Sequence, residues 1–86
     1  MVKKQVTIQN ETGLHARPAS LFVQTAVKHK STIKITKEGK SFDAKSMLGV
    51  LSLGANKGTV ITIEADGDDE AQAVEALVSL IENFRD

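Results

Sequence analysis

The chain has 86 residues, which suffice for one small domain with a modest hydrophobic core and leave no room for a second domain. Eleven lysines and arginines balance eleven aspartates and glutamates, and this zero net charge argues against a nucleic-acid partner and against an anionic membrane. The absence of cysteine argues against disulfides and thiolate metal sites and fits a cytoplasmic protein. Since no long apolar stretch is present, we expect neither a signal peptide nor a membrane span.

The first part of the chain predicts a strand followed by a helix. Apolar and polar residues alternate over about residues 2–8, which is typical of a strand, and a polar turn follows over residues 10–13. From Ala16 onward the apolar residues recur with the spacing of one helix face, and they are Ala19, Phe22, Val23 and Ala26. Cations at residues 28–30 complement the negative end of this helix, and we expect His29 among them to lie in solvent.

The middle of the chain predicts a hairpin. Ile33 and Ile35 alternate with polar residues, as in a second strand. Residues 38–40 form a turn that leads into a short third strand around Phe42 and Ala44.

The last part predicts a short helix, a strand and a longer helix. Ser46 has the position of an N-cap residue, and the helix that it begins ends near Gly54. Alternation over residues 61–65 indicates a fourth strand, and the acidic turn 66–70 leads into the final helix, with Arg85 at its C-terminal end. The buried face of that helix is formed by Ala73, Leu77, Leu80, Ile81 and Phe84.

The predicted order of elements is βαββαβα. Each strand has one apolar face, and the amphipathic helices are expected to cover it. We therefore expect residues 1–86 to form a single two-layer α+β domain with the other face of the sheet in water.

The segment Gly-Leu-His-Ala-Arg-Pro-Ala, residues 13–19, carries the strongest functional signal. It places the nucleophilic imidazole of His15 at a helix start, where backbone N–H groups without helical partners bind anions. Pro18 fits the first turn, so the N–H groups of Ala16 and Arg17 remain to face an anion. The Arg17 guanidinium suits phosphate oxygens. A lone histidine would be read as a helix cap and a lone arginine as a solvated cation, but the combination favours a phosphoryl group on His15.

A second candidate site is Ser46. The serine of an N-cap is commonly structural, and the same position also suits a phosphoacceptor, because a phosphate there meets helix N–H groups and a favourable dipole. The segment 47–53 is apolar on nearly every side, so part of it is expected to remain exposed as a surface for partners. A phosphate at the edge of that surface would switch the interface.

No metal or cofactor site is expected. The two histidines, His15 and His29, belong to different helix ends, and residues 54–58 contain two glycines without a nucleotide-binding signature.

Two segments resemble signatures of one family. Residues 12–19 resemble the active-site signature of HPr, the histidine-containing phosphocarrier of the phosphoenolpyruvate-dependent sugar phosphotransferase system. Residues 44–53 resemble the regulatory serine signature of that family, and the likeness covers essentially the whole chain. The resemblance implies an open-faced sandwich, in which three helices lie on one face of a four-stranded antiparallel sheet.

The resemblance also implies roles and partners. His15 would take phosphate at Nδ1 from enzyme I and pass it to IIA domains of sugar permeases, without turnover in the absence of these proteins. Ser46 would be modified by the ATP-dependent HPr kinase/phosphorylase of low-GC Gram-positive bacteria, and the modified protein would act as corepressor for the catabolite control regulator. The docking surface implied by the family comprises Ala19, Ser20, Phe22, Met47, Leu48 and Leu51.

The chain departs from the family pattern in the segment that follows Ser46. Gram-positive members often carry isoleucine and methionine where this chain has Met47 and Leu48, and methionine where it has Leu51.

The alternative function is that of a regulatory protein that acts mainly through Ser46. The regulatory paralogue Crh resembles the chain closely but has glutamine at the position of His15, so the histidine argues against a purely regulatory role. A small enzyme that uses His15 in acid–base or phosphohydrolase chemistry ranks lower, because no partner carboxylate lies at a suggestive spacing. We expect a monomer.

Overall fold

The structure is a computed structural model, and it describes residues 1–84. The elements are β1 (Val2–Thr7), α1 (Ala16–Val27), β2 (Thr32–Lys37), β3 (Lys40–Asp43), α2 (Met47–Leu53), β4 (Val60–Asp66) and α3 (Glu70–Glu82). The predicted order βαββαβα is confirmed. The expected position of Arg85 at the end of α3 lies outside the described residues.

The four strands form one antiparallel sheet in the order β1-β4-β2-β3. The register places Val6 opposite Ile61 and Ile35 opposite Ile63, so apolar side chains of neighbouring strands lie on the same side. All three helices contribute buried residues to the one core that packs against this face. The open-faced α+β architecture is therefore confirmed.

The core is built mainly from isoleucines of the sheet and apolar residues of α1 and α3. Its largest fully buried apolar side chains are those of Phe22, Ile8, Ile33, Ile35, Ile61, Ile63, Leu77, Ile81 and Val50. Burying each of them stabilises the fold by about 2 kcal/mol relative to exposure. The burial predicted for the last helix is confirmed for Ala73, Leu77 and Ile81. Leu80, and Phe84 beyond the end of α3, are only partly buried at the margin of the core.

The predicted strand ends differ from the observed ones by one residue. Ile8 lies beyond β1, yet its N–H donates to Thr59 O at 2.9 Å and its carbonyl accepts from Gly58 N at 2.7 Å. Ala44 lies beyond β3, and its N–H donates to Ile33 O at 3.0 Å. Both residues keep strand-like hydrogen bonds that continue into the loops.

Helix α2 has the ends that the sequence predicts. The Oγ atom of Ser46 accepts the N–H of Gly49 at 3.1 Å, which satisfies a donor of the first turn. Gly54 ends the helix with a φ of 66°, in the left-handed region that glycine adopts without a steric cost. Lys37 Nζ donates to Gly54 O at 3.1 Å and so adds a cation at the negative end of the helix.

The prediction of a solvated His29 is wrong. Its side chain is only 19% exposed, and its Nδ1 atom lies 3.2 Å from Asp69 Oδ2. Asp69 precedes α3 as its N-cap residue, but its carboxylate makes no bond to its own helix. Because α3 packs against α1, the carboxylate reaches the end of α1 instead, a contact between distant segments that local sequence does not indicate.

Among residues 1–84, no helix combines the length and the apolar character required of a membrane span.

Candidate functional site

His15 is the N-cap residue of α1. Its backbone is extended, with φ at −89° and ψ at −168°, and its carbonyl accepts the first helical bond, from Ala19 N at 2.9 Å. The imidazole is exposed and makes no capping hydrogen bond to the helix. The structure therefore does not assign the ring a capping role, and it leaves a nucleophilic side chain at the surface.

The first turn of α1 presents backbone donors beside this ring. Within residues 1–84, the N–H groups of Ala16 and Arg17 have no acceptor, and Pro18 has no N–H to offer. Both donors belong to exposed residues at the positive end of the helix dipole. An oxyanion next to His15 can therefore accept hydrogen bonds from main-chain groups that need no rearrangement.

Arg17 lies in the same turn as these donors. Its side chain is exposed, and in the described part of the chain it takes part in no ion pair. A long, permanently charged guanidinium in this place can reach the oxygens of a phosphate held near His15.

The loop that carries His15 rests on the loop that follows α2. Gly13 has a φ of 65°, and a Cβ atom at this position would lie 2.3 Å from Ala55 O. The next residue, Leu14, is buried and donates its N–H to the same Ala55 O at 2.9 Å. Position 13 therefore requires glycine, and the carbonyl that imposes this requirement lies 42 positions away, where local sequence does not indicate it.

Asn10 is a polar residue that the sequence assigned only to a turn. It is 6% exposed, and its Nδ2 donates to Gly13 O at 3.0 Å. The main-chain carbonyl of Asn10 accepts a hydrogen bond from Gly13 N at 3.2 Å. Asparagine commonly bonds to the backbone of its own turn, so the residue type was the signal in the sequence that could have indicated this role.

A surface ion pair also links the two loops. Lys57 Nζ lies 2.6 Å from Glu11 Oε1, and both side chains are more than half exposed. A pair this exposed contributes at most about 1 kcal/mol, so the close packing of Gly13 is the stronger restraint.

The second predicted site residue, Ser46, is partly exposed at the start of α2. Its capping role is confirmed by the bond from Gly49. Its phosphorylation stays a prediction.

The apolar surface expected for partners is present on α2. Leu48 is 76% exposed and Leu51 40% exposed, while Met47 is partly buried against the core. Helix α1, which packs against α2, adds Leu21, which is 45% exposed. We call Leu21, Leu48 and Leu51 the α1–α2 apolar patch.

Two residues proposed for this surface do not belong to it. Ala19 and Phe22 are both fully buried, because they lie on the core-facing stripe of α1. Ser20 is partly exposed, and its Oγ accepts from Gln24 Nε2 at 3.0 Å. Leu21 was missed, although an apolar residue off the buried stripe is the expected signal of an exposed contact.

No group of three histidine, aspartate or glutamate side chains that could hold a metal ion occurs in the part of the chain that the structure describes. His15 and His29 lie at opposite ends of α1.

Comparison with known proteins identifies the class to which this fold and site belong. Residues 2–83 match the profile of the PTS-HPr family, described as the PTS HPr component phosphorylation site. Because this match spans nearly the entire chain, the chain belongs to the HPr family, whose members include phosphocarrier proteins.

Relatives in this family include regulatory as well as phosphocarrier proteins. The chain is 50% identical to the HPr-like protein Crh of Halalkalibacterium halodurans, over 95% of this chain and 98% of the relative. It is 45% identical to the phosphocarrier protein HPr of Neisseria meningitidis, over 98% of this chain and 94% of the relative.

Solved structures agree with the family. The crystal structure of an HPr from Thermoanaerobacter tengcongensis has a TM-score of 0.93 and 52% identity, covering 95% of this chain and 92% of that one. Another structure of HPr from this organism is described as a dimer, with a TM-score of 0.76, 52% identity and coverage of 95% and 94%. The family thus includes dimers, so the expected monomer does not follow from the family.

Proposed function

We propose that the chain is a phosphoryl carrier of the sugar phosphotransferase system, which accepts phosphate on His15 from enzyme I and passes it to IIA domains. The observation that carries this proposal is the exposed imidazole of His15 at the N-cap of α1, beside the N–H groups of Ala16 and Arg17. Membership of the HPr family supports it.

The geometry suits a direct transfer of the phosphoryl group between the two proteins. Nδ1 of His15 attacks the phosphorus of phosphorylated enzyme I with its lone pair, a new N–P bond forms, and the bond between phosphorus and the donor atom breaks with its electron pair returning to the donor. The proton on the other nitrogen of His15 does not take part in the transfer. The amide donors and the Arg17 guanidinium stabilise charge on the phosphoryl oxygens as it moves.

The same steps in the opposite direction discharge the carrier. A nucleophile of the IIA domain attacks the phosphorus, and His15 leaves as imidazole. Two exposed N–H groups and one flexible arginine orient the phosphoryl group without enclosing it, which is what a group that must leave again requires.

Ser46 is the proposed regulatory site, modified by an HPr kinase/phosphorylase. A phosphate there adds close to two negative charges at the start of α2, and Leu48 is exposed in the first turn of the same helix. We infer that this charge changes which partner proteins bind the α1–α2 apolar patch. The catabolite control regulator is one of these proposed partners.

A second candidate function is that of a regulatory corepressor acting mainly through Ser46. The identity of 50% with a Crh protein favours it. The histidine at position 15 favours the carrier, and we propose that this carrier works in the cytoplasm.

Incubation with enzyme I and labelled phosphoenolpyruvate tests the proposal. We expect one acid-labile phosphate per chain, which is absent in His15→Ala and forms more slowly in Arg17→Ala. Failure of the folded wild-type chain to take up label would refute the carrier function, and an unchanged rate in Arg17→Ala would refute the role of the guanidinium. Label from ATP and the kinase that is stable to acid and lost in Ser46→Ala would support the regulatory site. Turnover of a free small molecule without partner proteins would indicate an enzyme instead.

A further inference from the structure

We propose that Asn10 is a positioning residue for phosphoryl transfer at His15, an inference that rests on the proposed carrier function. Asn10 lies five positions before the histidine, is 6% exposed, and is one of only two buried polar residues among residues 1–84. A buried side-chain amide needs hydrogen-bond partners, and Asn10 Nδ2 bonds within its own loop to Gly13 O at 3.0 Å and to Thr12 Oγ1 at 3.4 Å.

The Asn10 side chain and the Ala55 carbonyl hold the two sides of one peptide group. The carbonyl of Gly13 accepts from Asn10 Nδ2 at 3.0 Å, and the N–H at the other end of that peptide, on Leu14, donates to Ala55 O at 2.9 Å. The peptide that joins Gly13 to Leu14 is therefore held at both its oxygen and its hydrogen. Rotation of this peptide would break both bonds.

This restraint matters because of the glycine that the loop requires. Ala55 O lies so close to Gly13 that no side chain fits there, and the φ of 65° also favours glycine. Glycine gives the backbone more conformational freedom than any other residue, and it does so two positions before the nucleophile. The Asn10 amide offsets that freedom without occupying the space beside Ala55.

The orientation of the Gly13–Leu14 peptide affects the position of the His15 imidazole through the backbone between them. Leu14 is anchored in the core with 3% exposure, and the next residue, His15, is the N-cap of α1. The orientation of the peptide before Leu14 therefore sets the path by which the chain enters the helix. It fixes the position of the imidazole relative to the first-turn N–H groups. Misplacement of a reacting group by about 1 Å can lower a rate by up to about a hundredfold.

Two variants separate positioning from stability. Asn10→Asp keeps the size of the side chain and replaces the NH2 donor by a carboxylate oxygen, and Asn10→Ala removes the amide altogether. Ser31→Ala is the matched control, because it deletes a bond of a buried side chain, to Asp69, beyond the far end of α1. Helix α1 has 12 residues and is therefore about 18 Å long, so the control leaves the His15 loop untouched.

The test measures steady-state transfer of label from enzyme I to each variant. It is run at a temperature at which circular dichroism shows that the variant is folded. We expect kcat to fall about tenfold or more in both Asn10 variants while KM for the carrier stays unchanged, because the α1–α2 apolar patch is intact. Ser31→Ala should match the wild type in both constants.

The outcomes distinguish this inference from the proposed function. If the wild type takes up label and the folded Asn10 variants match its kcat, Asn10 has no positioning role and the carrier function stands. A rise in KM with an unchanged kcat would also overturn the role. If one variant does not fold, the other gives the answer, and if neither folds, Asn10 is structural and the inference fails. If the wild type takes up no label, the proposed function fails first and the positioning role fails with it.

Discussion

Asp69 and Ser31 are joined twice through one carboxylate oxygen. Asp69 Oδ1 accepts from Ser31 Oγ at 2.5 Å and from Ser31 N at 3.0 Å. The other oxygen, Oδ2, accepts from Lys30 N at 2.9 Å. Since Ser31 is buried and 38 positions distant in sequence, these bonds fasten the start of α3 to the end of α1.

The contacts of Asp69 predict how stability depends on pH. The Ser31 hydroxyl and the Lys30 amide favour the charged carboxylate and hold the pKa of Asp69 well below its usual value. The unfolded chain, with an ordinary aspartate pKa of about 4, therefore takes up the proton first on acidification. The free energy of unfolding should be highest above that pH and should fall between about pH 5 and pH 2, as measured by urea unfolding.

Asp69→Asn is the control for this prediction, because it keeps the shape and removes the charge. We expect lower stability at neutral pH and a shallower loss of stability in acid. Some dependence of the unfolding free energy on pH will remain, because a hydrogen bond from the N-terminal amine also lowers the pKa of Glu70. An unchanged slope in Asp69→Asn would show that other carboxylates account for the acid sensitivity.

Gly13→Ala should destabilise the fold strongly. The new Cβ atom would lie 2.3 Å from Ala55 O, and the positive φ adds strain, so we expect a loss of about 2–4 kcal/mol in urea unfolding. Gly58→Ala is the matched control, because Gly58 also has a positive φ and a Cβ there meets nothing within 4 Å. Its cost should be only about 1–2 kcal/mol. Equal costs for the two variants would exclude the clash as the cause.

Ser46 should contribute to stability through its cap. Ser46→Ala leaves the N–H of Gly49 without its partner and should cost about 1 kcal/mol in thermal or urea unfolding. Ser46→Asp should restore most of that loss, because a carboxylate can accept the same N–H at the positive end of α2. Ser52→Ala, exposed in the same helix, should change stability by less than about 0.5 kcal/mol. Equal stability of Ser46→Ala and the wild type would contradict the capping role.

Leu48 should matter for partners and little for folding. It is 76% exposed, so Leu48→Ala should leave the unfolding free energy within about 0.5 kcal/mol and raise KM for transfer from enzyme I about tenfold. Val60→Ala removes a side chain that is 50% exposed on the open face of the sheet, and it should leave KM unchanged. Equal KM values for the two variants would mean that the α1–α2 apolar patch is not the docking surface.

The sequence predicted features that depend on near neighbours. The helix starts at His15 and Ser46 and the helix end near Gly54 follow from residues within one turn, and all three are confirmed. Ala19 and Phe22 are instructive, because helical periodicity placed them in the core while the family resemblance placed them on the surface. Their complete burial shows that periodicity was the better guide.

Features that join distant segments could not be predicted. The contact of Gly13 with Ala55 and the bonds between Asp69 and Ser31 depend on how loops meet after the sheet and helices have packed. No local pattern encodes such contacts, and for the same reason the sequence does not indicate the contact of His29 with Asp69. The sequence thus indicated which residue carries the chemistry but not what holds its loop in place.

Discharge of the labelled carrier tests most directly whether the phosphate on His15 is passed on to another protein. Chain labelled by enzyme I and phosphoenolpyruvate is purified and mixed with a IIA domain of a sugar permease, and the label on each protein is followed with time. The carrier function predicts that label leaves His15 and appears on the IIA domain much faster than it is lost to water. Label that stays on the chain, or that leaves only as inorganic phosphate at the rate seen without the IIA domain, would contradict it.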